Sequence, residues 1–178
     1  MASVTTFLER RLKLRVNPKK SQVLRVAKLE FLGFAFHAGR MRISNASMLE
    51  FRFRLKRYSC RNWFVSMEHR LAKLRRYVVG WMNYYGLSEP HGHGSNLTGW
   101  LYRRIRMCYW VIWRRPRTRI KRLLNLGVHL TRAVGLGRSS LWPWKCSRLL
   151  GLVLSPEWLA AQGVVSPTAE WKRCAHLR

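Results

Sequence analysis

The sequence predicts a mainly α chain with a small N-terminal β part, an α+β arrangement in which a β-hairpin precedes a helical domain. Three observations carry this. Met67, Leu71, Leu74, Val78, Trp81 and Tyr85 recur at alternating spacings of four and three, the stripe of an amphipathic helix. Residues 29–36 are almost continuously apolar, and Met41 and Ile43 alternate with Arg40 and Arg42, a strand pattern punctuated by glycine. Hydrophobic residues make up 48% of the 178-residue chain, enough for a packed core and too many for a disordered basic tail.

Taken in order, residues 3–12 read as the end of a helix, with Phe7 and Leu8 facing inward. Residues 13–16 alternate charged and apolar, as a half-buried strand does. Asn17-Pro18 breaks that strand with a turn, and Lys19, Lys20 and Ser21 follow at its exit. Residues 29–36 suit a strand buried on both faces, where Gly33 lets another backbone come close. Gly39 supplies a turn, which makes 29–43 a β-hairpin. Ser44 or Asn45 can cap a helix running to about Tyr58. Ser66 can cap the next, with Glu68 in its first turn and Arg70, Lys73, Arg75 and Arg76 on its other faces. A loop with Pro90, Gly92, Gly94 and Gly99 leads to a third helix over about 97–115, striped by Leu101, Ile105, Cys108 and Ile112. Pro116 stops or restarts the chain, and Gly127 ends the helix after it. From Gly135 the chain is rich in Gly, Ser, Pro and Trp and is expected to be irregular, with short helical pieces at most, such as 156–162. The expected organisation is a β-containing unit over 1–43, a helical domain over 44–134 and an irregular tail over 135–178.

Charge narrows the function. Thirty-five Lys and Arg face seven acids, a formal net charge of +28. Such a surface repels itself and calls for a polyanion. Nine Trp and six Tyr add faces on which unpaired bases can stack, although aromatics at periodic positions, Trp81, Tyr84 and Tyr85 among them, mostly belong to a core. Arg103, Arg104, Arg106, Arg114, Arg115, Arg117, Arg119, Lys121 and Arg122 form a run with no acid in it, the densest candidate for contact with a phosphate backbone. Metal-dependent phosphoryl transfer is disfavoured. The chain has no Asp, and its acids, Glu9, Glu30, Glu50, Glu68, Glu89, Glu157 and Glu170, are scattered, whereas a Mg²⁺ pair needs clustered carboxylates. Cys60, Cys108, Cys146 and Cys174 form no CxxC pair, and His91 and His93 flank a glycine in a loop, so no metal site is assigned. No apolar run is long enough to span a bilayer and no signal peptide is recognised. The expected location is the reducing cytoplasm, in a ribonucleoprotein.

Several stretches resemble group II intron reverse transcriptases, also called maturases. Residues 7–21, with Leu-Lys-Leu-Arg-Val-Asn-Pro-Lys-Lys-Ser over 12–21, are similar to the late palm of that family, and Lys-Leu-Glu-Phe-Leu-Gly-Phe-Ala-Phe over 28–36 to the hairpin that follows it. Arg-Tyr-Val-Val-Gly-Trp-Met-Asn-Tyr-Tyr over 76–85, Trp100, and the run from Arg103 through Trp-Arg-Arg-Pro-Arg-Thr-Arg over 113–119 resemble the maturase-specific domain. Pro143-Trp144 and 158–163 are similar to the tail of bacterial members. The resemblance spans nearly the whole chain, in the family's order. It implies a palm remnant over 1–43 and a thumb, or domain X, from Ser44 onward that grips intron RNA and a template–primer duplex. It also implies that the fingers and the Tyr-Ala-Asp-Asp motif, which holds Mg²⁺ in full-length members, precede this sequence. No cofactor is expected for the chain alone.

Carried onto matching positions, the resemblance places Lys20 near the nucleotide or template. The nucleic-acid-binding candidates are then Lys20, Arg70, Lys73, Arg75, Arg76, Tyr84, Tyr85 and the nine cations of 103–122. The leading expectation is a maturase-type domain that binds intron RNA, without catalysis by this chain. The alternatives are one half of a split reverse transcriptase that works with a separate N-terminal half, a decayed fragment, and a generic basic protein, which explains the charge but not the ordered motifs.

Overall fold

The computed structural model describes residues 2–17, 24–37, 39–88 and 94–176. Helix α1 (Ala2–Arg11) opens the chain. Its Phe7 is 55% exposed, so the inward placement expected for it does not hold. Residues 13–16 form no strand. Lys13 takes a left-handed φ of 54°, and the Leu14 amide donates to the Leu8 carbonyl at 3.1 Å. Four alternating residues with no neighbouring strand have no ladder to join, and their backbone closes the helix end instead. The turn expected at Pro18 and the site residue Lys20 lie outside the described residues.

Strands β1 (Glu30–Phe31), β2 (Phe34–His37) and β3 (Arg40–Ile43) form an antiparallel meander in the order β1-β2-β3. The doubly buried strand expected over 29–36 is itself a hairpin. Leu32 and Gly33 both take positive φ, 51° and 80°, as the tight two-residue turns that match strand twist require. Phe31 and Leu32 consequently point to solvent. A continuous apolar run does not reveal a turn hidden inside it. Only the directly paired Phe34 and Ile43 carry the sheet into the core.

Gly33 earns its place twice. Its φ is positive, and a Cβ there would overlap the Tyr85 hydroxyl and the Ser47 Oγ. Those side chains seat the sheet on the helices: Ser47 Oγ donates to the Gly33 carbonyl at 3.2 Å, and the Tyr85 hydroxyl donates to Ser47 Oγ at 3.0 Å. Gly33 therefore admits side chains of two helices rather than another backbone. Gly33→Ala should lower stability by about 2–3 kcal/mol, combining backbone strain with overpacking. Gly39→Ala, also at positive φ but in open space, should cost only about 1–2 kcal/mol. Urea unfolding of the two variants checks the order, and equal losses would contradict it.

The Ser44 side chain caps α2 (Asn45–Tyr58) by accepting from the Ser47 amide, and the Ser66 side chain caps α3 (Met67–Tyr85) by accepting from the His69 amide. Each removes one orphan donor at a helix start, worth about 1 kcal/mol. Phe51 and Leu55, four apart on α2, are fully buried against the α3 stripe of Leu71, Leu74, Val78 and Met82. Phe51 stacks on Trp81 with centroids 4.0 Å apart.

Helix α4 (Gly94–Ile112) serves two cores. Leu97, Leu101 and Ile105 join the α2–α3 cluster, whereas Trp110, with Trp113 just beyond the helix, joins a second cluster with Leu123, Ala133, Cys146, Leu150 and Leu154. This division corrects the expected stripe at its far end, where Ile112 is 47% exposed and Trp110 is fully buried. Pro116 restarts the chain as the first residue of α5 (Pro116–Asn125), and Gly127, with φ of 80°, follows its end.

The tail, expected to be irregular with short helical pieces at most, is largely helical over its described residues 135–176. After α6 (Leu130–Gly137) come α7 (Pro143–Leu149), α8 (Pro156–Ala161) and α9 (Pro167–His176). Each of the last three begins on a proline. Proline's fixed φ suits the first helical position, where its missing N–H costs nothing, so residues that look like breakers are here starters. Helix α7 packs on α4, and α9 on both α3 and α4. Leu159, Val164 and Trp171 complete the first core. The tail is therefore continuous in packing with the helical domain.

Candidate nucleic-acid interface

Backbone carbonyls divide the candidate cations into two groups. Arg70 is 2% exposed. Its guanidinium donates to the carbonyls of Tyr58 at 3.0 Å, Cys60 at 2.7 Å and Trp63 at 2.6 Å, closing the α2–α3 loop over the start of α3. Arg104 clamps the end of α2, donating to Ser59 Oγ at 2.6 Å and to the carbonyls of Lys56 and Ser59. Cationic donors suit helix C-termini, where carbonyls lack partners. Arg106 donates to the Leu154 carbonyl at 2.7 Å. Burial pushes the guanidinium pKa of both Arg104 and Arg106 down from its ordinary value. Arg103 lies 4.0 Å over the Trp144 ring and bonds the Trp144 carbonyl, tying α4 to α7. Arg119 sits 4.3 Å over Trp110 and donates to the Trp113 carbonyl at 2.9 Å. All five are fastening elements. Sequence alone cannot separate them from surface cations, because off-stripe positions next to a helix end or a second core look like a solvated face.

Tyr84 and Tyr85 are also structural. The Tyr84 hydroxyl donates to the Leu32 carbonyl at 3.1 Å, and Tyr85 packs on Phe34 and Trp81. The two rings dock the β-sheet on α3, with Tyr85 half-buried between Phe34 and Trp81 and Tyr84 still 47% exposed.

Lys73, Arg75, Arg76, Arg114, Arg115, Arg117, Lys121 and Arg122 are exposed. On α3, Lys73 and Arg76 are three apart and share a face opposite the buried stripe. On α5, Arg117, Thr118, Lys121, Arg122 and Asn125 line a shallow cleft of about 370 Å³. Helix α5 has no acid in its first turn and starts immediately after Arg114 and Arg115. Cations at a helix N-terminus oppose the macrodipole, an arrangement that an anion bound there relieves. A second cleft, of about 560 Å³ at the α2–α3 junction, brings Arg54, Arg57 and Lys73 together with Tyr58 and Trp63. Arg54 and Arg57 were not among the expected site residues. Their signal is a spacing of three on α2 beyond its one acid, Glu50, which pairs with Arg54 at 2.6 Å.

Residues 48–127, from within α2 to Gly127, match the family model of the group II intron, maturase-specific domain. Over these residues the chain is similar to a group II intron maturase-specific domain. No curated protein matches the sequence. The maturase match indicates a group II intron maturase-type function. It takes in both clefts and every exposed candidate cation named above, while the helices that complete its cores, α6 to α9, lie after it.

The chain has no Asp, and among the described residues no group of three His, Cys, Asp or Glu could hold a metal ion. His91 and His93 lie outside the described residues. Among the described residues no helix is long and apolar enough to cross a membrane.

Proposed function

We propose that the chain is a maturase-type module that binds structured group II intron RNA through phosphate contacts and favours its folded form, leaving the splicing chemistry to the RNA. The observation that carries this reading is the exposed cation surface of α3 and α5 on a maturase-specific domain, with no acid anywhere in residues 90–156. Free guanidinium groups make bidentate bonds to phosphate, and each phosphate neutralised releases counterions. Contact with about six to ten phosphates should weaken binding roughly 10³- to 10⁵-fold between about 50 and 200 mM salt. A gel-shift series in that range tests the proposal. Salt-insensitive binding, or none to a structured intron RNA, would overturn it.

A second reading is that the chain completes a reverse transcriptase whose polymerase half is a separate polypeptide in the ribonucleoprotein. It is favoured by apolar side chains left in solvent on the sheet and the outer face of α2. Phe31, Leu32, Leu49 and Phe53 are 58–66% exposed, and clustered exposure of this kind is a common mark of a protein interface. Primer extension only when such a half is added would support it. Failure of the two polypeptides to co-purify would count against it.

A further inference from the structure

The geometry points to a stacking track for unpaired RNA across the α2–α3 loop and the start of α7, separate from the phosphate surface of α3 and α5. Trp142, just before α7, is 69% exposed. The Arg61 guanidinium, from the α2–α3 loop, stands 5.8 Å from its ring centroid. Trp144, two residues on, is 36% exposed, with one face held by the fastening Arg103 at 4.0 Å. Phe64, three residues beyond Arg61, is 96% exposed. Aromatic rings held against guanidinium groups are the elements of single-strand recognition, where bases stack on the ring and the cation meets the backbone.

The loop that carries Arg61 and Phe64 is held firmly. Arg70 bonds three of its carbonyls or those beside it, and Arg104 holds Ser59. The backbone that presents these side chains is thus preorganised, so less ordering of the loop is left to offset on binding. Electrostatics select the occupant. Residues 51–67 and 90–156 contain no acid, which disfavours a basic or neutral apolar protein partner and favours a polyanion with flat faces. The cleft at Arg57, Lys73 and Trp63 adjoins the same loop and offers cations to the strand's phosphates.

This inference rests on the RNA-binding reading, and the test separates the two. The probes are an adenine oligoribonucleotide of about ten nucleotides with one 2-aminopurine, and a blunt RNA duplex of about 20 base pairs. The wild-type chain should bind both and quench the 2-aminopurine by stacking. Trp142→Ala should weaken single-strand binding about ten-fold and relieve the quenching, with duplex affinity unchanged. Trp142→Phe, which keeps a ring, should restore most of the loss. Phe64→Ala should weaken single-strand binding in the same direction. Because both side chains are exposed, folding is not at stake. The track is overturned, and the RNA-binding reading survives, if both alanine variants match the wild type on the single strand or if the wild type binds only duplex. If the wild type binds neither probe, the track falls, and if it also fails to bind a structured intron RNA, both ideas fall.

Discussion

Arg70→Ala should lower stability by about 3 kcal/mol, more than any other charge removal on α3. The side chain is almost wholly buried and bonds three carbonyls, of Tyr58, Cys60 and Trp63. Hydrogen bonds from a charged donor contribute about 1.5–3 kcal/mol each. Truncation strips the Tyr58 carbonyl of this donor, whereas the carbonyls of Cys60 and Trp63 keep the amides of Trp63 and Val65, so the net loss stays below the sum. For a chain of this size the melting temperature should fall by about 6–12 °C. Arg75→Ala, on the exposed side of the same helix, should stay within about 0.5 kcal/mol. Arg70→Lys should recover only part of the loss, because a single ammonium cannot reproduce the planar fork that reaches three carbonyls. A thermal melt of Arg70→Ala within about 2 °C of the wild type would show that the loop does not depend on this residue.

Neutralising the α5 surface should do the reverse, leaving the fold intact and weakening RNA binding. The triple variant Arg117→Gln, Lys121→Gln, Arg122→Gln removes three exposed cations around one cleft. If each meets a phosphate, the salt slope should fall by about three and the affinity on the order of 100-fold at about 100 mM salt. Stability should hold, since Arg117 in the first turn of α5 opposes the helix dipole while Arg122 in the last turn favours it. The contrasting variant is Arg103→Gln with Arg119→Gln. These side chains fasten α4 to α7 and cover Trp110, so their loss should appear chiefly in the melting temperature. An unchanged salt slope in the triple variant would move the RNA surface away from α5.

The helical stripe of α3, the two serine caps and the proline restart at Pro116 were legible because each depends on residues within a turn or two of one another. The hairpin at Leu32–Gly33 was not, since leucine in a left-handed turn is tolerated only where the flanking strands and α3 demand it. Of the C-terminal helices α8 was expected as a short piece over 156–162, and α6, α7 and α9 were missed for a different reason. At seven to ten residues they are too short to display a period, and their stability comes from packing on α3, α4 and α5. The candidate site divides in the same way. The excess of cations is a property of composition, but the difference between Arg70 and Arg75, five positions apart, is set by which carbonyls fold back over the start of α3.

Composition and local pattern thus establish a basic, mainly helical chain without Asp, whose charge suits a polyanion and whose motifs are those of a maturase domain. They do so because net charge, periodicity and caps are additive or short-range. Which arginines are free to meet phosphate, which aromatics stand in water and whether the tail is ordered emerge only when distant segments pack together. A guanidinium at a helix end satisfies carbonyls from another element, and it is no longer available to bind an external anion.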